Sequence, residues 1–332
     1  MVSNDDLLAT LLLFFPSLIT LAAYIIVLIG MYKLWRESKN AFYLLLLFMG
    51  VSDMSTLALF SFYSTPCTFL QSYFLGETFD TLVGGFLCNM SYFTSLWFLM
   101  TIALNRYITI CHSKSTIKIH DQSNITISIA CCFLFGFISS VAQFAPCCSM
   151  RYYPEYYSWS YDMELDGNSR FIWFDRALST LTFVCLVTCY TLIFHKVKKV
   201  HSAVHAQPAL QPANASETNK NQRTNFKLAV QSAIISSFYI TLDLAFTIIP
   251  LITDNKWWFL VISLWNIGAI GVHPFIYLCA NESIRRQVKI LFRFKNVGVA
   301  TAASKAPTMA ASMASRRSVV HNLITVQSAQ AH

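Results

Sequence analysis

Residues 81–110 read TLVGGFLCNMSYFTSLWFLMTIALNRYITI, an apolar run that ends in the tripeptide Asn105-Arg106-Tyr107. A helix rising 1.5 Å per residue needs about 20 such residues to cross a hydrocarbon layer roughly 30 Å thick. Comparable runs lie at about 7–34, 41–67, 124–146, 171–195, 226–252 and 257–280, which makes seven. Lipid admits only helices and closed barrels, and these runs are too long and too uniformly apolar for barrel strands of about 10 residues. The expected fold is all-α, a seven-transmembrane helix bundle. Composition agrees: 55% hydrophobic and 12% charged residues are too apolar a mixture for a soluble chain of 332.

Orientation follows from the cations, because Lys and Arg in short loops stay on the cytoplasmic face. With the N-terminus outside, 20 of the 24 Lys and Arg fall inside. Arg151, Arg170 and Lys256 fall outside, and Arg176 sits near a helix end. The net charge of +8 is thus a topology signal rather than a nucleic-acid footprint, since the cations are dispersed among separate loops. Met1–Asp6 has no cation and is followed by a run too long for a cleaved leader, so the first span is expected to be retained. The division is residues 1–6 outside, a seven-transmembrane domain with its following interfacial helix over 7–294, and a disordered cytoplasmic tail over 295–332. The inner loop at about 201–225, rich in Ala, Gln, Pro, Asn and Ser, also reads as disordered. In contrast, the outer loop from Cys147 to Arg170 concentrates Tyr152, Tyr153, Tyr156, Tyr157, Trp159 and Tyr161 and reads as an ordered aromatic lid.

After the seventh span, Ile284, Val288, Leu291 and Phe292 share one face of a helix whose other positions include Arg285, Arg286, Lys289 and Arg293. That pattern predicts a short amphipathic helix in the inner interface, its cations near lipid headgroups. Four glycosylation sequons start at Asn89, Asn124, Asn214 and Asn281, all within a helix or inside, so none should carry sugar.

Ionisable groups within a span are costly unless paired or hydrated. Asp53 in the second span, Asp243 in the sixth and His273 in the seventh are therefore candidates for function, each with the alternative of a hydrogen-bond partner that fixes packing. Cys88, Asn89 and Tyr92 share an upper face of the third span, and Trp265 and Asn266 lie at a comparable depth in the seventh. These five are candidate ligand contacts, though both asparagines could instead bridge helices. The eight histidines are scattered, and nothing points to a catalytic centre, a metal or a cofactor.

Leu104-Asn105-Arg106-Tyr107-Ile108 resembles the Asp-Arg-Tyr element of rhodopsin-like G-protein-coupled receptors, in the Asn-Arg form found in nematode serpentine chemoreceptors. His273-Pro274-Phe275-Ile276-Tyr277 resembles their Asn-Pro-x-x-Tyr element, and Gly50-Val51-Ser52-Asp53 is similar to the segment around the second-helix aspartate. Asn281-Glu282-Ser283-Ile284-Arg285-Arg286 looks like the start of the interfacial helix in the class x and class t receptors, and the Tyr-rich outer loop looks like class x. The resemblance implies a chemosensory receptor in the plasma membrane, by family habit that of sensory cilia. A small-molecule ligand would bind between the outer halves of helices three, five, six and seven. A heterotrimeric G protein would be met by Asn105, Arg106 and Tyr107, and Asp53, Asp243, His273, Pro274 and Tyr277 would act in switching.

Departures from the pattern are informative. The first helix has no asparagine, the fourth no tryptophan, the fifth no proline, and the sixth lacks Cys-Trp-x-Pro. The cysteine that usually tops helix three would fall near Thr81, so a bridge from Cys67 to Cys147 or Cys148 is open, as is none. Asn105 cannot make an aspartate's salt bridge with Arg106, which leaves a neutral hydrogen bond as the expected lock. Cys88 stands where amine receptors carry an aspartate, which disfavours an amine unless Asp243 supplies the counterion. An apolar odorant fits the aromatic lining better, with Asp243 held by Tyr239 as a switch. A seven-helix transporter or channel remains as an alternative, but it predicts internal repeats and paired Gly and Pro breaks that the sequence lacks. The seventh run, Trp257 to Ala280, has no lysine for a retinal Schiff base.

Overall fold

The computed structural model describes residues 3–112, 122–145, 148–162, 165, 167–206 and 215–297. Two compact units divide the chain, one up to Val288 and one from Lys289; the second is described only to residue 297, where it is helical. Among the described residues, seven helices are long and apolar enough to cross a membrane: Asn4–Ser38, Ala41–Leu70, Glu77–Cys111, Ser123–Phe144, Asn168–Lys199, Phe226–Ile252 and Lys256–Ala280, here spans one to seven. Span three is the central member, packed against spans two, four, five and six. Its crossing with span four is close because Gly136 lies on Thr94, where any Cβ would collide.

Local chemistry explains where the spans begin. Ser3 accepts from the Asp6 N–H and Asp6 accepts from the Ser3 N–H, a capping box that starts the first helix at Asn4. Span seven starts at Lys256, so its first residue is a lysine after all, but that ammonium is at the rim, 2.8 Å from Asp5. In span two, Pro66 cannot donate to the Phe62 carbonyl and its ring crowds that turn. The helix widens into a π turn over Phe60–Ser64, and the Thr65 N–H and hydroxyl both donate to the Phe60 carbonyl.

That wide turn aims Ser64 at the lid. Strands β1 (Met150–Tyr153) and β2 (Ser158–Tyr161) form an antiparallel hairpin with Tyr152 opposite Trp159, so the ordered aromatic loop expected from sequence is present. The buried Trp159 indole donates to Ser64 Oγ at 3.0 Å, and the Tyr152 hydroxyl pairs with Thr68 Oγ1 at 2.6 Å. Gly85 lets β1 lie on the top of span three, since a Cβ there would strike the Met150 carbonyl. Tyr157, at φ 57°, is held in the left-handed region by tertiary bonds: its hydroxyl donates to Asp6 at 2.8 Å and its carbonyl accepts from Ser263 at 2.9 Å. Burial pushes the Tyr152 hydroxyl well above its usual range and that of Tyr73 up to about 12, so both stay neutral at physiological pH.

Two expectations change and one holds. Cys67 is a free, fully buried thiol turned into the core, so it makes no bridge to the loop; Cys148 is disulfide-bonded, and Cys147 lies outside the described residues. The segment read as a disordered inner loop is largely helix, because spans five and six continue as Asn168–Ala206 and Ala215–Ile252. Only 207–214 of it, like 298–332 of the tail, lies outside the described residues. The helix after span seven, Glu282–Val297, does form: Asn281 caps it by accepting from the Ile284 N–H at 3.2 Å, and Ile284 and Val288 are buried.

Candidate functional site

Spans three and five each present three residues at i, i+1, i+4: Cys88, Asn89 and Tyr92 from one, Asp175, Arg176 and Ser179 from the other. Together with Asp243 and Phe246 of span six, Asn266 of span seven, and Met150 and Tyr161 of the hairpin, they enclose a cavity of about 60 Å³. In that measure a water needs about 10–15 Å³, so the cavity, partly roofed by the hairpin, suits a small molecule. Four of the five expected ligand contacts converge here. Trp265 does not: one residue from Asn266 it is turned about 100° round the helix, is 42% exposed, and leans on Phe238 at the outer surface of the bundle.

The charges differ from expectation. Asp243 is not isolated, since Arg176 Nη1 lies 2.7 Å from its Oδ1 and the Tyr92 hydroxyl donates to the same oxygen at 3.1 Å. Nor is it the lone carboxylate, because Asp175 lines the same cavity and accepts from the Tyr161 hydroxyl. The sequence reading placed Arg176 only near a helix end and did not single out Asp175. The signal that could have found them is the same i, i+1, i+4 spacing that singled out Cys88, Asn89 and Tyr92.

Deeper in the bundle, Asp53 is fully buried and collects four partners from four other spans. Tyr24 of span one donates to it, as do Ser95 of span three at 2.6 Å and Tyr239 of span six at 3.0 Å. His273 Nδ1 of span seven lies 2.8 Å from Asp53 Oδ2 and 2.7 Å from the Tyr24 hydroxyl. Asp53 and His273 thus belong to one network. Asp243 stands outside it, and Tyr239, expected beside Asp243, serves Asp53 instead: four residues along a helix is about 6 Å, enough to separate two sites. Tyr24 is what brings span one, which has no asparagine, into this network. Rings connect the two levels, with Tyr92 stacked on Tyr239 at 6.4 Å and Tyr239 on His273 at 5.6 Å.

At the far end of span three Arg106 is 2% exposed, its guanidinium lying 3.7 Å over the Phe42 ring of span two. Asn105 is buried, and among the described residues its side-chain oxygen accepts no hydrogen bond, so the expected Asn105–Arg106 lock is not formed. Tyr107 is partly exposed and meets His112 ring to ring at 5.4 Å. Pro274 and Tyr277 are buried in span seven, and the Tyr277 hydroxyl has no partner among the described residues.

Residues 14–295 match the family model described as serpentine type 7TM GPCR chemoreceptor Srx. The chain belongs to that family. It is also similar to the melatonin receptor type 1B of Gallus gallus, 24% identical over 239 residues that cover 68% of this chain and 79% of the relative. Squid rhodopsin in its crystal structure superposes with a TM-score of 0.73 at 16% identity, covering 90% of this chain and 87% of that one, a likeness of fold. That family is one of seven-transmembrane G-protein-coupled chemoreceptors, and this serpentine receptor is a multi-pass membrane protein.

Proposed function

We propose that this receptor detects a small-molecule cue at the plasma membrane, in the cavity beneath the hairpin, and activates a heterotrimeric G protein at the Asn105-Arg106-Tyr107 end. The observation that carries the reading is the arrangement of the cavity itself. It lies beneath a tied aromatic lid, holds an ion pair between spans five and six, and is joined by the stacked rings of Tyr92, Tyr239 and His273 to the Asp53 network. A cue that prefers one separation of spans five and six over another shifts the receptor between states by the difference in its affinity for them. Asp53, His273, Pro274 and Tyr277 then act as the inner part of the switch. Sensory cilia, the habit of similar receptors, are the proposed location.

The test is a chemical screen of the full chain in a heterologous cell with cAMP, cGMP and calcium read in parallel. A cue that evokes one of them, and fails in cells lacking G-protein α subunits, supports the reading; a response independent of G protein sinks it. Topology is checked separately. A tag before Met1 is expected to label on intact cells and one after His332 only after permeabilisation, from the cation asymmetry; the reverse pattern removes the assignment of Arg106 to the inner face.

The ion pair makes a further expectation. Asp243→Asn or Arg176→Ala is expected to change basal second-messenger output at equal surface density about five- to thirtyfold, which corresponds to about 1–2 kcal/mol for a pair partly open to solvent. The double reversal Arg176→Asp with Asp243→Arg should restore part of it. Unaltered basal output in both single variants shows that the pair does not hold the two spans.

A further inference from the structure

We propose that the outer cavity is built for a small organic cation, an alkyl or arylalkyl amine, with its ammonium group against Asp175. This rests on the reading of that cavity as the cue site. Two carboxyl groups, Asp175 and Asp243, and one guanidinium, Arg176, face it, so an ammonium is the group that would bring their formal charges into balance. Arg176 Nη1 is engaged with Asp243 at 2.7 Å, and the Tyr92 hydroxyl closes on the same oxygen.

Asp175 is the group left short. It is 5% exposed, one oxygen accepts from Tyr161, and the other, Oδ1, is buried and takes no hydrogen bond among the described residues. Asn89, the neighbouring amide, lies beside Asp175 and divides its Nδ2 between that carboxyl group and the Tyr161 hydroxyl, 3.4 Å away. A carboxylate oxygen withdrawn from water without a donor is among the costlier arrangements a protein interior holds. An ammonium supplies three donors and the opposite charge at once. A neutral alcohol satisfies the oxygen but leaves the charge, and an anion must face that charge and evict Asp243 from Arg176. Phe93 and Phe246 in the same lining give an apolar tail its wall. The sequence disfavoured an amine unless Asp243 supplied the counterion that Cys88 does not; Asp243 is taken by Arg176, and Asp175, on another span, is the counterion proposed instead.

The full-length receptor, purified in lipid nanodiscs, is heated with a series of amines from methylamine to phenethylamine, each beside its matched alcohol and carboxylate. Amines are expected to raise the unfolding temperature at concentrations at least about thirtyfold lower than their alcohols, the scale of a buried charge contact. Asp175→Asn is expected to remove that discrimination, and the wild-type comparison stands even where the variant fails to fold. Alcohols or carboxylates that bind as well as amines overturn the proposal, as does silence across the amine series, because an uncompensated carboxylate takes a small cation whatever its tail. Amine binding that evokes no second messenger supports this site and counts against the receptor reading alone. A neutral cue whose signal survives Asp175→Asn counts against the amine and leaves the receptor reading intact.

Discussion

Asp53→Ala is expected to deplete folded receptor from the cell surface. The carboxylate is the common acceptor for Tyr24, Ser95 and Tyr239 and the partner of His273, so alanine takes the acceptor from Ser95 and Tyr239 and leaves Tyr24 and His273 with only each other. Each such group costs about 1–3 kcal/mol when left without a partner, and the methyl side chain also leaves a void. The sum is comparable with the whole margin of a folded protein, about 5–15 kcal/mol. Asp53→Asn keeps the volume and one acceptor oxygen, so it is expected to reach the surface at a reduced level. The measurement is surface label per total label, with the unfolding temperature of purified protein. An alanine variant equal to wild type in both would show that the network carries no stability, and that the five spans are held by apolar packing alone.

The sequence made the bundle legible because span length and charge poverty are one-dimensional properties, readable without knowing any contact. Convergence of Cys88, Asn89, Tyr92 and Asn266 was legible for a related reason, since helical phase and depth place residues on a face. Phase errors are unforgiving, and Trp265 shows it: one step along the helix separates a wall of the cavity from the outer surface. What sequence could not supply was partner choice between spans. Tyr239 is four residues from Asp243 yet bonds Asp53, and Asp243 takes Arg176 from another span, 67 positions away in the chain. The π turn of span two was hidden as well. Pro66 announces a disturbed helix but not whether the helix kinks, ends or widens, and the widening is what brings Ser64 to Trp159.

Arg106 is where sequence and structure lead to different experiments. A cytoplasmic contact that touches nothing else would make Arg106→Ala a clean loss of coupling at normal surface density. The structure buries the guanidinium over Phe42, so the same substitution also removes packing, and a moderate fall in surface density is expected beside the loss of signalling. Phe42→Leu separates the two. It leaves the arginine and its charge but takes away the face on which it rests, an interaction of about 0.5–2 kcal/mol. If Arg106 must leave that shelf to meet a G protein, losing the shelf favours the active state and basal output rises about two- to thirtyfold, by the ordinary arithmetic of a two-state shift. Asn105→Asp should act in the opposite sense, because the neutral side chain at 105 gives the arginine no acceptor among the described residues and a carboxylate would hold it in place. The three variants therefore order themselves at equal surface density: Phe42→Leu above wild type, Asn105→Asp below it, and Arg106→Ala silent even with a cue present. A Phe42→Leu receptor with wild-type basal output would mean that the stacked arginine is packing only, and full signalling by Arg106→Ala would remove that end of span three from the coupling surface.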